Sequence, residues 1–190
     1  MIERYSIVLY PPPEIVEIVR QLKLELKSKI GWFASVNSEA HITICEFAGE
    51  NSEFQKAMSY LEKFADAASP ASVCFNTLGS FPNGAFYLSP DQVSRYYMVS
   101  LMKSFAKSFP VKPLFIVDNP HMSIGRKLKP AALAAAFELF SGRNLELYYI
   151  CNRISLRKFN PERKQFDVVA HFYFKGAEDG LNETSQLALF

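Results

Sequence analysis

The stretch Pro120-His-Met-Ser-Ile-Gly-Arg-Lys127 sets an imidazole two residues ahead of a hydroxyl between apolar neighbours, and eighty residues upstream His41-Ile-Thr-Ile44 repeats the arrangement. Side chains alternate across a strand, so His41, Thr43 and Cys45 share one face, opposite Ile42 and Ile44. In the second segment His121, Ser123 and Gly125 face away from Met122 and Ile124. Each segment thus buries an apolar pair and presents an imidazole beside an alcohol. The fourth residue after each histidine is small, Cys45 or Gly125, leaving room for a ligand along the strand. Strict alternation turns Glu46 and Arg126 to the apolar side, and Arg126 reaches the site only if the strand ends or bulges there.

The chain holds only three histidines. His171 serves as a control: its neighbour two residues on is Tyr173, and it reads as a satisfied polar residue on an edge or surface strand.

Two imidazoles and two hydroxyls suit phosphodiester displacement. One group must take a proton from the attacking oxygen while another gives one to the leaving oxygen, and histidine can do either near neutral pH. The hydroxyls of Thr43 and Ser123 can donate to the non-bridging phosphate oxygens, where charge develops. The scheme needs no metal and no cofactor. His-x-His and His-Glu-x-x-His are missing, as is any close Cys/His cluster, and no Gly-x-Ser-x-Gly turn surrounds Ser123.

Composition bounds the rest. The 190 residues, 49% hydrophobic and 21% charged, can bury one substantial core. The apolar run that ends at Tyr10 is too short for a signal segment and is stopped by Pro11 to Pro13; no stretch reaches bilayer length. A cytoplasmic protein is expected, with no membrane partner. Cys45, Cys74 and Cys151 form no CxxC pair and read as reduced core thiols. The net charge of +2 is too small for duplex DNA binding, yet residues 126–164 hold nine Lys/Arg against three acids. Such a basic sector can attract a phosphate-bearing ligand.

Periodicity supplies the elements. A strand over Glu3–Tyr10 leads into a helix carrying Ile15, Val19, Leu22, Leu26 and Ile30 between Pro13 and Gly31. Trp32–Val36 reads as extended. Ser52-Glu-Phe-Gln55 reads as a capping box opening a second helix with Phe54, Met58, Leu61 and Ala65 inward. Strands over 71–78 and 84–88 flank the Phe81-Pro-Asn-Gly84 turn. Asp91–Ser108 forms a third helix, with Val93, Tyr97, Leu101 and Phe105 inward. Leu114–Val117 is a short strand, and Pro130–Phe140 a helix. Leu145–Phe159 and Phe166–Phe174 read as a long hairpin. No linker divides the chain, and strands and helices mix without a βαβ rhythm, so the class is α+β.

On these motifs the sequence resembles the 2H phosphoesterases, and among them the bacterial 2′-5′ RNA ligase-like proteins, also called RNA 2′,3′-cyclic phosphodiesterases. HITICEFAGE (41–50) and PHMSIGRKLKP (120–130) match the paired motifs; LGSFPN (78–83) and FDVVAHFYF (166–174) also fall where that family has them. The resemblance covers 1–175 as one bilobal domain and leaves 176–190 as a tail, frayed or loosely docked.

It implies two lobes related by a pseudo-twofold, each an antiparallel sheet with helices on its outer face, and a cleft between them. It places His41 and His121 as catalytic residues, with Thr43 and Ser123 holding phosphate. Arg126, Phe81, Tyr87 and Phe159 are further candidates for substrate contact, the aromatics by stacking on a base. The expected activity is metal-independent hydrolysis of a cyclic phosphate on a nucleotide or RNA end, or of a 2′-5′ bond, by a monomer. The alternative is a nucleotide or RNA binding module with little turnover.

Overall fold

A computed structural model describes residues 1–176. The class is α+β, as expected. Among the described residues the order is β1 (Glu3–Leu9), α1 (Pro13–Ile30), β2 (Ile42–Gly49), α2 (Asn51–Ala67), β3 (Ala71–Ser80), β4 (Phe86–Pro90), α3 (Gln92–Ser108), β5 (Pro113–Ile116), β6 (Met122–Gly125), α4 (Pro130–Phe140), β7 (Leu147–Cys151), β8 (Arg153–Asn160) and β9 (Gln165–Tyr173).

The strands form two antiparallel sheets, β5-β2-β1-β8-β9 and β6-β4-β3-β7. The middles of β1 and β8 are buried on both faces, which suits their central places in the larger sheet. One hydrophobic core runs through both sheets and all four helices. Tyr60 and Phe64 of α2 pack on Phe105 of α3, while α1 lies against α4 and β6. Phe137 and Phe140 of α4 press on Phe86 of β4. Cys45, Cys74 and Cys151 are unpaired and buried. No helix among the described residues is long and apolar enough to cross a membrane.

Five expectations are corrected. Residues 34–37 form turns rather than an extended segment, and Trp32 projects into solvent, 72% exposed. α2 starts earlier than Ser52: Glu50 is the N-cap, and its N–H donates to the Glu53 carboxylate at 3.0 Å. In α3 the inward face is Ser94, Met98, Met102 and Phe105, and Val93 is exposed. The helix is clocked by polar groups invisible to apolar periodicity: Ser94 N–H donates to Asp91 at 2.8 Å, and Ser94 Oγ accepts the Cys74 N–H at 2.8 Å.

The run Leu145–Phe159 is not one strand. It breaks at Asn152, so β7 joins the smaller sheet and β8 the larger, and only β8 and β9 form the hairpin. The strict face alternation expected of the two histidine segments also fails, with consequences described below. The expected tail lies outside the described residues from position 177 on.

Candidate active site

The two histidine segments are built alike to the residue. In β2 against β1, Leu9 faces Ile42, Val8 faces Thr43, and Ile7 faces Cys45, so Ile44 is an extra residue. In β6 against β4, Leu88 faces Met122, Tyr87 faces Ser123, and Phe86 faces Gly125, so Ile124 is the extra residue. Each strand therefore bulges at the third position after its histidine, and each bulged isoleucine is fully buried.

A bulge resets the alternation. Cys45 turns into the core at 1% exposure, while Glu46 turns back to the face of His41 and Thr43. By the same shift Arg126 lines the cleft with His121 and Ser123. Parity alone had sent both charges to the apolar side. Neither Cys45 nor Gly125 lines the cleft. Gly125 is small because a Cβ there would come within 2.8 Å of the Leu128 side chain.

His41, Thr43, His121 and Ser123 all line one cleft of about 900 Å³ between the sheets. His41 Nδ1 lies 2.7 Å from the Glu39 carbonyl and His121 Nδ1 2.8 Å from the Asn119 carbonyl. A carbonyl can only accept, so both Nδ1 atoms carry the proton, and Nε2 is the atom that can exchange one with a ligand. Asn119 is itself held by Arg95.

The surroundings of the two rings differ. Burial pushes the His41 pKa well below 6.5, and the nearby charges of Arg157, Lys23 and Arg126 push it further against the Glu39 hydrogen bond. His121 is lowered by burial, with Arg126 adding to it and the Asn119 carbonyl opposing. Two aromatic rings flank His121: Phe81 edge-on at 5.0 Å and Tyr87 at 5.2 Å.

Of the other candidates, Phe81, Phe159 and Arg126 line the cleft and Tyr87 does not. Tyr87 lies behind Phe81 at 4.4 Å and against Gly79, where any Cβ would meet its ring at 2.7 Å. It buttresses His121 rather than offering a face to a base. Phe159 packs on Phe166 and beneath the Arg4 guanidinium. His171 fits its control reading: it lies on edge strand β9, bonded to Ser155 Oγ at 2.6 Å, off the cleft.

Sequence reasoning missed Arg4, Tyr10, Glu39, Glu46 and Arg157, all of which line the cleft. Arg4 donates to Glu46 at 2.8 Å, and the Tyr10 hydroxyl is bonded to Glu39. For Arg157 the sequence held two signals: its place in the basic sector 126–164, and its place with Arg153 among the alternating apolar residues of β8, where each is too costly to bury without a partner. Also unread was Lys23, fully inside α1's apolar face. Its ammonium donates to Ser38 O at 2.6 Å and Ser38 Oγ at 3.1 Å, fastening the turn that carries Ser35, Asn37 and Ser38 into the cleft wall. Among the described residues no three His, Cys, Asp or Glu side chains gather as a metal site.

Comparison with known structures gives the same architecture. E. coli LigT in complex with 3′-AMP superposes with a TM-score of 0.63 at 12% identity, covering 92% of this chain and 99% of that one. TT0787 of Thermus thermophilus gives 0.57 at 16% identity, with 92% and 99% covered. Kluyveromyces marxianus Usb1 gives 0.54 at 11%, with 90% and 98% covered. Curated protein sequences give no significant match. At these identities the likeness establishes the fold, and a family model adds the lineage: it matches residues 11–162, so the chain belongs to the 2′-5′ RNA ligase superfamily.

Proposed function

We propose that the cleft hydrolyses the cyclic phosphate of a nucleotide or RNA end, with His41 as general base and His121 as general acid. The observation that carries the reading is the pair of imidazoles on one cleft, each with Nδ1 tied to a carbonyl and each two residues ahead of a hydroxyl. Water, deprotonated by His41 Nε2, attacks phosphorus. The bond to one ribose oxygen breaks, His121 Nε2 gives that oxygen its proton, and a phosphomonoester remains. Thr43 and Ser123 donate to the non-bridging oxygens as charge builds on them.

The division of labour follows from electrostatics. Burial first, and then the charges of Arg157, Lys23 and Arg126, keep His41 neutral, the state a base needs. His121 is lowered less, and the Asn119 carbonyl on its Nδ1 favours the protonated ring that an acid needs. With the base titrating below the acid, neutral His41 with charged His121 is the majority form between the two pKa values, not a rare tautomer of the pair. LigT of E. coli also forms crystalline complexes with 3′-AMP, ATP, NADP+ and phosphate, ligands that share phosphate.

The test is a substrate panel assayed with EDTA present: 2′,3′-cyclic nucleotides, RNA with a cyclic end, ADP-ribose cyclic phosphate and 2′-5′ dinucleotides. Turnover of a cyclic phosphate is expected, and His41→Ala or His121→Ala should each lower kcat by roughly 10²–10⁴. An activated diester with a nitrophenyl leaving group needs no acid, so it should restore much of the rate to His121→Ala and none to His41→Ala. The reverse pattern exchanges the roles. Binding without product across the whole panel overturns the reading in favour of a binding module.

A further inference from the structure

We propose that Arg157 is a direct ligand of the reacting phosphate, supplying on the His41 side of the cleft the cation that Arg126 supplies on the His121 side. The proposal rests on the phosphodiesterase reading above.

The structural repeat poses the question. Five residues after each histidine the bulge brings a charge into the cleft, yet the charges are opposite: Arg126 in one half, Glu46 in the other. Glu46 is committed to Arg4 and adds no positive charge beside Thr43. An anionic phosphorus between the imidazoles would therefore meet a cation from one half only. On the other half, Arg157 enters from β8, facing Ser6 of β1, which faces Glu46 of β2.

Arg157 is built unlike a structural arginine. Arg153, four residues earlier on the same strand, is 9% exposed and has a partner for every nitrogen: Nε donates to Tyr10 O at 3.0 Å, Nη1 to Tyr173 Oη at 3.3 Å and Nη2 to Pro11 O. It does not line the cleft. Arg157 is 5% exposed and lines the cleft, and among the described residues it makes a single hydrogen bond, from Nη2 to the neutral Ser6 Oγ at 3.0 Å. Among the described residues its buried Nε has no acceptor and no carboxylate pairs with the guanidinium. Phe166 backs the guanidinium, its ring centroid 5.4 Å from Cζ.

A buried guanidinium with open donors has given up hydration that a bound anion would return. Its planar fork suits two oxygens of one phosphate. It also lies near enough to His41 to be, after burial, the main influence on that ring. Burial lowers the Arg157 pKa only to about 10, so the charge persists at neutral pH.

The experiment compares wild type with Arg157→Met and Arg157→Lys. Both should lose about 10²–10³ in kcat/KM on a cyclic phosphate, carried largely by kcat, because one charged donor to the transition state is gone or misplaced. Cyclic phosphorothioate diastereomers supply a readout that a merely structural role would not move. Wild type should prefer one isomer, and Arg157→Met should shrink that preference at least about tenfold while thermal unfolding stays cooperative.

If Arg157→Met does not fold, the wild-type protein decides alone: the Arg157 Nε–H resonance should shift on titration with inorganic phosphate. A folded Arg157→Met with near wild-type kcat/KM and an unchanged isomer ratio, or an Nε–H resonance unmoved at saturating phosphate, overturns the proposal. Absence of wild-type turnover on the whole panel with an intact phosphate-induced shift would instead sink the hydrolase reading and leave Arg157 as an anion ligand.

Discussion

Single residues set the protonation chemistry of the cleft. Because burial and three nearby cations lower His41 well below 6.5, it stays neutral into acid pH; His121, lowered less, loses its proton as pH rises toward 6.5. The kcat/KM profile, which reports the free enzyme, should thus be a bell with its basic limb below 6.5 and its acidic limb lower still. In the complex the substrate's negative charge favours the protonated form of His121, so the basic limb of kcat should lie at higher pH than that of kcat/KM. Removing the Arg157 charge should raise the His41 pKa and move the acidic limb of Arg157→Met toward neutrality. Initial rates from pH 4.5 to 9 check all three, and a flat kcat/KM profile with chemistry rate-limiting would contradict the acid–base scheme. The histidines and hydroxyls were legible at this scale since each motif declares itself within three residues; Arg157 was not, since its meaning depends on which acceptors surround it.

At the scale of elements the decisive feature is the bulge shared by β2 and β6. Apolar periodicity located both strands, but an extra residue leaves no mark in a pattern of isoleucines, so parity turned Glu46 to the wrong face and left Arg126 dependent on a bulge that only the register shows. The same limit explains α3, where Asp91 and Ser94 rather than apolar spacing fix the rotation. The turn before β4 was readable through Asn83-Gly84, and its glycine has a second duty. Gly84 has φ +78°, a Cβ there would approach the Leu128 carbonyl to 2.3 Å, and its own carbonyl accepts the Leu128 N–H at 2.9 Å. The turn is thereby stitched to the segment that follows Arg126. Gly84→Ala should cost at least about 1–3 kcal/mol, lowering Tm by several degrees, and should raise KM as Arg126 is displaced. Gly142→Ala, at a position with nothing within 4 Å, should leave both unchanged. Thermal unfolding and steady-state kinetics on the two variants make the comparison.

Across the whole molecule, charge is distributed more unevenly than its sum of +2 suggests. Arg126, Lys127, Arg157, Arg163 and Lys164 all line the cleft, against Glu39, Glu46 and Asp167, of which Glu46 is paired with Arg4 and Asp167 with Arg163. A longer anionic ligand should feel this field more than a short one. Between 50 and 300 mM salt, KM for an RNA with a cyclic end should rise several-fold more than KM for a cyclic mononucleotide, because each neutralised backbone phosphate releases counterions. Equal salt slopes for the two would place the extra nucleotides outside the cleft. The sequence by itself determined the α+β class, the helices and most strands, and the matching pairs His41–Thr43 and His121–Ser123 as motifs, because these follow from spacing within one element. Only the tertiary structure decided that Leu145–Phe159 divides between two sheets, that Glu46 and Arg126 face the cleft, and that Arg157 stands there with open donors. Those depend on strand register and on acceptors contributed by distant segments, and packing, not local pattern, fixes both.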